Sequence, residues 1–300
     1  MIVAAIIQAR LGSQRFPAKV LKRIDYQTML THVLARAKQI PGVSTIMVAT
    51  TTAPRDDAIV NLCRGAGVRW CRGSERDVLA RYVLAAELTR ADVILRLTSD
   101  CPLLDPEVAG LVLASQREQG ASYVSNVHPP SWHDGCDAEA FTRAALEVAH
   151  AEAGPDEREH VTTFLWRRSE RFRVANVALP GGEDHSLVKL SVDTAEDLAR
   201  VRAVHGDLRP RDATGWRATL AAHARQFPSP VEVQARRIFT ALPRCADRRA
   251  AYAEGVHAAA GTVSAGVPCP YSTQQQPLRI AWHLGWEDVA SLGRRELASG

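Results

Sequence analysis

Along the first two-thirds of the chain, short apolar runs alternate with longer stretches whose apolar residues recur at helical spacing. Ile2 to Ile7 is an unbroken apolar run, the pattern of a strand covered on both faces. Residues 29–39 carry apolar positions at helical spacing, and 44–50 is a second buried strand. Residues 55–67 predict a helix ending on glycine, and the segment Gly67–Gly73 a short third strand. A helix over 75–91 leads to a fourth strand over 92–100. Asp105 before Pro106 opens another helix to residue 119 as a capping residue, and 121–127 reads as a further strand. Such β-α alternation predicts a parallel sheet with helices on both faces, an α/β protein of three layers. Ligands of such sheets sit beyond the carboxyl ends of the strands. The loops at 8–19, 50–57 and 99–106 are therefore where chemistry is expected.

The pattern loosens between 128 and 190. Helices are expected near 141–153 and 157–168, strands near 172–178 and 187–191, and a helix follows from Thr194. Past residue 226 the character changes. The expected organisation is a main domain over 1–225, a proline-containing linker over 226–242 and a small separate module over 243–300, which has no lysine.

Composition narrows the class only a little. The 300 residues are 46% hydrophobic and 23% charged, as in ordinary globular proteins, and a net charge of +4 does not call for a nucleic-acid partner. None of the six cysteines forms a CxxC pair, and no stretch has the length of a membrane span. The N-terminus lacks the basic start and long apolar core of a secretion signal, so a cytoplasmic protein with reduced, buried thiols is expected.

The first loop carries the densest chemistry. Arg10, Arg15 and Lys19 lie within ten residues directly after a buried strand, with Gly12 and Ser13 forming a turn that can expose backbone N–H groups. Three cations and free amides suit a triphosphate; a solvated basic loop is the plain alternative. Neither GxxxxGK[ST] nor GxGxxG is present. Asp100 stands at the end of the fourth strand, a position from which a carboxylate can meet magnesium arriving with a nucleotide.

The segment IIQARLGSQRFPAKVL resembles the opening of the spore-coat polysaccharide (SpsF-like) cytidylyltransferases, relatives of the CMP-sugar-acid synthetases. Gln14, Ala18 and Ser99 depart from that family's usual small hydroxyl residue, glycine and glycine. The likeness continues in order through MVATTTAPRDDAIVNLC, CRGSERDVLARY, LRLTSDCPLLDP, HDGCDAEAF, EREHVT and VKLSVDTAEDL, to about residue 205. It implies a nucleotide-diphospho-sugar transferase-like (Rossmann-like) fold and a magnesium-dependent enzyme. That enzyme would transfer CMP from CTP to a sugar, sugar acid or phosphonate and release pyrophosphate.

The resemblance also implies site residues. Arg10, Arg15, Lys19 and Asp100 would be catalytic, and Asp100 and Asp193 would hold the metal, although a helix cap is the alternative for Asp193. Gln8, Ala9, Gly12, Ser13, Thr50, Arg72, Ser74 and Asp77 would bind the nucleotide, although Asp77 with Arg81 is also spaced as an exposed i,i+4 pair. Asp134, Asp137, Glu139, Arg158 and His160 would face the acceptor, with a structural hydrogen bond the alternative for His160. A homodimer is implied as well. Two other readings compete: a nucleotide-sugar-dependent glycosyltransferase, for which the strand end Ser99-Asp100-Cys101 lacks the usual DxD, and a non-catalytic RNA-associated protein.

Residues 247–292, with Cys269-Pro270-Tyr271, Arg279, Trp282 and Gly285-Trp286, resemble ribosome modulation factor, a small helical protein that binds ribosomal RNA. Trp282 and Trp286 suit either base stacking or the core of a helical hairpin. Eight arginines against six acidic residues from 226 onward give little electrostatic pull toward RNA, so any ribosome contact would be weak.

Overall fold

The computed structural model describes residues 1–208 and 215–227. Their compact unit, Met1–Gln226, is built on a seven-stranded sheet. The chain enters it through β1 (Val3–Gln8), which pairs in parallel with β4 (Thr45–Thr51) on one side and β6 (Val93–Thr98) on the other. β5 (Arg69–Gly73) extends the sheet beyond β4, again in parallel. Beyond β6 the direction reverses. β8 (Glu139–Thr142) runs antiparallel to both β6 and β7 (Tyr123–Ser125), and β9 (Val174–Asn176) lies parallel to β7 at the edge. The order is thus β5-β4-β1-β6-β8-β7-β9. The chain leaves β1 toward β5 and returns on the other side at β6. This reversal is the switch point at which open α/β sheets bind ligands.

Helices α1 (Met29–Ala37), α2 (Asp57–Gly65), α3 (Val78–Thr89), α4 (Pro106–Gln119) and α5 (Arg143–Glu152) connect these strands. α1, α4 and α5 start on a capping side chain. Thr28 and Thr142 accept a backbone N–H from the first turn of α1 and α5, and Asp105 accepts from Glu107 and Val108, which bears out its capping role. The core is continuous from Ile6 and Ile94 of the sheet to Leu79 and Tyr82 of α3 and Leu146 of α5, all at most 1% exposed. No helix among the described residues is long and apolar enough to cross a membrane. Cys63, Cys71, Cys101 and Cys136 are free and buried, and burial pushes the thiols of Cys63 and Cys71 up to about 11.

Three expectations change. The helix expected near 157–168 is two short helices, α6 (Pro155–Glu159) and α7 (Thr163–Trp166). The turn between them breaks the pattern, because Val161 holds a left-handed φ of 58°. The strand expected near 187–191 reduces to one bridge, between Lys189 and Asp134, because Gly135 at φ 116° turns the partner chain away. The sheet carries β8, a strand that was not expected, at the start of the segment expected to open a helix near residue 141. Also unexpected are a two-residue hairpin of β2 (Arg23–Ile24) and β3 (Gln27–Thr28), and α9 (Trp216–Gln226). α8 (Ala195–Leu208) lies where a helix from Thr194 was expected. From residue 228 on, the expected linker and the module resembling ribosome modulation factor lie outside the described residues.

Ala18 explains its own oddity. It sits at φ 55° and ψ 26°, a left-handed conformation that glycine adopts freely, just before the 3₁₀ turn Lys19–Leu21. A left-handed L-residue costs about 1–2 kcal/mol. Ala18→Gly is therefore expected to raise stability by about 0.5–1 kcal/mol after the entropy of the unfolded glycine is subtracted, read as a higher urea midpoint at unchanged slope.

Candidate active site

A cleft of about 670 Å³ opens at the carboxyl ends of β1 and β6, at the switch point. Gln8, Ala9, Arg10, Ser13, Gln14, Arg15 and Lys19 of the first loop form one side. Arg96, Thr98, Ser99 and Asp100 of β6 and the turn after it form the floor, and Val78 and Arg81 come from α3. Glu159 and His160 close one wall, and Asp193 another.

Lys19 is the hub. Its ammonium donates to Asp100 Oδ2 at 2.9 Å, to Asp193 Oδ1 at 3.0 Å and to the carbonyl of Val192 at 2.8 Å. Arg15 reaches the same Asp193 oxygen at 3.1 Å, and Lys189 donates to its other oxygen at 2.9 Å. The backbone braces this meeting, since Val192 N–H donates to the carbonyl of Asp100 at 2.9 Å. Asp193 does not cap α8. Thr194 does so, accepting from Asp197 N–H, while the Asp197 carboxylate accepts from the N–H groups of Asp193 and Thr194. That arrangement leaves the Asp193 carboxylate to the cations.

The charges hold one another in place. Burial alone would lower the Lys19 ammonium, but Asp100 and Asp193 raise it above its ordinary value. Burial alone would raise Asp193, but bonds from Lys189 and Lys19 bring it down to about 2. A carboxyl lowered in the folded state stabilises the fold fully above its unfolded value, about pH 4, and loses that contribution as pH falls toward 2. Wild type should therefore lose stability more steeply than Asp193→Asn between pH 4 and 2, measured as urea midpoints along that range. Parallel curves would show that the carboxylate is not held by the two lysines.

The first loop is pinned from below. Leu11 N–H donates to buried Asp56 at 2.8 Å, and the hydroxyl of Thr51 donates to the same carboxylate. Arg10 makes only long contacts, 3.4 Å to the carbonyl of Glu75 and 3.5 Å to Glu159. Arg81 is 2% exposed and donates to the carbonyl of Ala49; like Arg96, it has a buried Nε with no partner. Buried guanidinium groups without their full set of acceptors are costly, and here they face a cavity.

Comparison with known proteins places this geometry. The cytidylyltransferase family profile matches residues 4–205. The chain belongs to the cytidylyltransferase family. It is a CTP-dependent nucleotidyltransferase. It is 30% identical over 205 residues to the spore coat polysaccharide biosynthesis protein SpsF of Bacillus subtilis, covering 67% of this chain and 85% of that one. It is also 30% identical over 239 residues to a 3-deoxy-manno-octulosonate cytidylyltransferase of Anaeromyxobacter, covering 72% of this chain and 90% of that one. A solved cytidylyltransferase from Leptospira borgpetersenii superposes with a TM-score of 0.65 at 32% identity, covering 69% of this chain and 87% of that one.

Within this cytidylyltransferase, the expected residues divide. Gln8, Ala9, Arg10, Ser13, Arg15, Lys19, Asp100, His160 and Asp193 share the cleft. Gly12 lies on the same loop but does not line it. Of the other residues expected to bind the nucleotide, Thr50, Arg72, Ser74 and Asp77 do not line it. Thr50 is fully buried with an unpartnered hydroxyl, and Arg72 donates to the carbonyls of Thr51 and Ala53 and to Asp57, which makes it a brace of the β4 loop. Ser74 accepts from Asp77 N–H. Asp77 caps α3 and pairs with Arg158 at 2.7 Å, so the alternative pair with Arg81 is not formed. Arg158 also donates to the carbonyl of His150, and it does not reach the cleft.

On the expected acceptor side, Asp134 accepts from Ser191 at 2.9 Å, and burial, together with neighbouring Asp134, pushes Asp137 up to about 7; neither lines the cleft. Glu139 is 3% exposed, is turned inward to Arg96, Tyr123 and Thr162, and does not line the cleft. Gln14, Arg81 and Arg96 line the cleft without having been expected there. One signal was available: Arg96 interrupts an otherwise apolar strand, Ile94-Leu95-Arg96-Leu97, where a charge needs a reason.

Proposed function

We propose that this cytidylyltransferase transfers CMP from magnesium-bound CTP to a sugar, sugar acid or phosphonate, releasing pyrophosphate, within the cytoplasmic assembly of a polysaccharide or surface glycan. The observation that carries the reading is the meeting of Lys19, Asp100 and Asp193 on one wall of a cleft that also holds Arg10 and Arg15. The names of the Bacillus and Anaeromyxobacter relatives support the glycan context. The glycosyltransferase alternative finds no support in the family match.

The residues fit a magnesium ion. Asp100 and Asp193 each give an oxygen to the same ammonium, so one cation can reach both carboxylates. Among the described residues no larger His/Cys/Asp/Glu cage forms, which suits an ion that takes one or two carboxylates and completes its shell with water and phosphate oxygens. When bound, magnesium would neutralise triphosphate charge. The protein's own part is positioning and electrostatics. The acceptor oxygen attacks the α-phosphorus, and the bond to the pyrophosphate oxygen breaks. Arg10, Arg15 and Lys19 then stabilise the negative charge that collects on the leaving pyrophosphate. The first-loop amide at Ser13 would donate to phosphate oxygens in the same region. An acceptor attacking through a carboxylate or phosphonate oxygen needs no general base. Two copies of the chain are the proposed assembly, and a weak contact of the C-terminal module with RNA is a secondary proposal that rests on its resemblance alone.

Magnesium with CTP is expected to raise the Tm by several degrees more than magnesium with ATP or UTP, by preferential binding to the folded state. Pyrophosphate release should then require CTP together with an acceptor from a panel of sugar acids, amino sugars and phosphonates. Better protection by ATP or UTP would overturn the base assignment, and release with no member of the panel would overturn the acceptor class.

A further inference from the structure

We propose that Thr162, acting through Glu139, is a positioning residue that fixes the Glu159–His160 wall of the cleft against the strand carrying Arg96. Register places Glu139 of β8 beside Arg96 of β6, and Arg96 Nη1 donates to Glu139 Oε2. The other carboxylate oxygen accepts two hydroxyls, from Tyr123 at 2.6 Å and from Thr162 at 2.7 Å. Glu139, Tyr123 and Thr162 are all at most 3% exposed. One buried carboxylate therefore ties the floor of the cleft to the turn between α6 and α7.

That turn is not one the chain would take unaided. Val161 is β-branched and holds a left-handed φ of 58°, a conformation that persists only where its surroundings over-determine it. Two constraints do so. The Val161 side chain is 1% exposed in the core cluster that contains Phe164 and Leu165, and the next residue is held by Glu139. The Thr162 N–H also donates to the carbonyl of His160 at 2.6 Å, which closes the turn on itself. The result presents Glu159 and His160 to the cleft, with Glu159 3.5 Å from Arg10. The same carboxylate takes one of the five donors of Arg96, whose Nε is buried without a partner. The wall and the Arg96 guanidinium are thus set by a single joint. None of its members belongs to the Lys19 hub.

Thr162→Val removes the hydroxyl at nearly constant volume and leaves the Arg96–Glu139 pair intact, while Thr162→Ser keeps the hydroxyl. Hydrogen exchange of the 157–163 segment should speed up by about tenfold in Thr162→Val and return to the wild-type rate in Thr162→Ser. Pyrophosphate release, with CTP and 3-deoxy-manno-octulosonate as the probe acceptor, should show a kcat lower by on the order of tenfold in Thr162→Val. The calorimetric Kd for magnesium-CTP should stay within about twofold, and Thr162→Ser should restore kcat. Unchanged exchange in Thr162→Val overturns the proposal, as does a Thr162→Ser variant as impaired as Thr162→Val. The kinetic arm rests on the proposed transfer, whereas exchange needs no acceptor. A wild-type protein that binds magnesium-CTP and serves no acceptor therefore defeats the transfer reading and leaves exchange to decide the joint.

Discussion

Asp100→Asn is expected to lower CMP transfer by on the order of 10³-fold with the fold unchanged. The substitution keeps the size of the side chain and one acceptor for the Lys19 ammonium, now 2.9 Å away, but removes the charge. That charge has two proposed tasks: to offer a hard oxygen to the metal that accompanies the triphosphate, and to orient Lys19 toward the phosphates. Both matter more while the reaction proceeds than in the resting protein. The Asp100 side chain is 28% exposed and its turn is braced by backbone bonds, so folding does not depend on it. Initial rates of pyrophosphate release together with thermal unfolding check this. Undiminished turnover would remove Asp100 from the machinery, and a large fall in Tm would mean that its role is structural.

The largest effect on stability is expected at Glu139. Glu139→Ala leaves the Arg96 guanidinium buried without its carboxylate, takes away the acceptor of the Tyr123 hydroxyl, and leaves the Thr162 hydroxyl only its longer contact to the carbonyl of His160. Burial alone would raise the Glu139 carboxyl, but Arg96 and the two hydroxyls hold it below its ordinary value. Breaking a buried pair from one side costs about 3–5 kcal/mol, because the remaining charge has no compensation. For a domain of this size, that corresponds to a fall in Tm on the order of 10 °C. Calorimetry or circular dichroism reads it directly. A change under about 1 kcal/mol would mean that water reaches Arg96 and solvates it.

Why one part of this architecture could be read from sequence and another could not is visible at particular residues. β1, β4 and β6 are buried on both faces, so their sequences are nearly continuous apolar runs with polar residues at their carboxyl ends. The meeting of Lys19, Asp100 and Asp193 in one cleft was legible because each follows such a run or belongs to a motif. β8 was not, because four residues between a glycine-containing loop and a helix show no period. The break at Val161 was hidden because a left-handed valine is held by tertiary contacts that leave no local mark. Glu139 and Arg72 show the other limit. A charged residue inside a functional motif can serve that motif by bonding inward, as both do here, and spacing alone does not separate inward from outward. Ala18 is the converse case: a departure from a usual glycine in the sequence coincides with a left-handed φ of 55° in the structure.

A crystal structure of the protein with CTP and manganese, located by anomalous scattering, tests the account most directly. Metal density shared by Asp100 and Asp193, with the triphosphate against Arg10, Arg15 and Lys19, is the expected result. Metal and triphosphate bound away from this cleft, with Lys19 still bonded to both carboxylates, would contradict it.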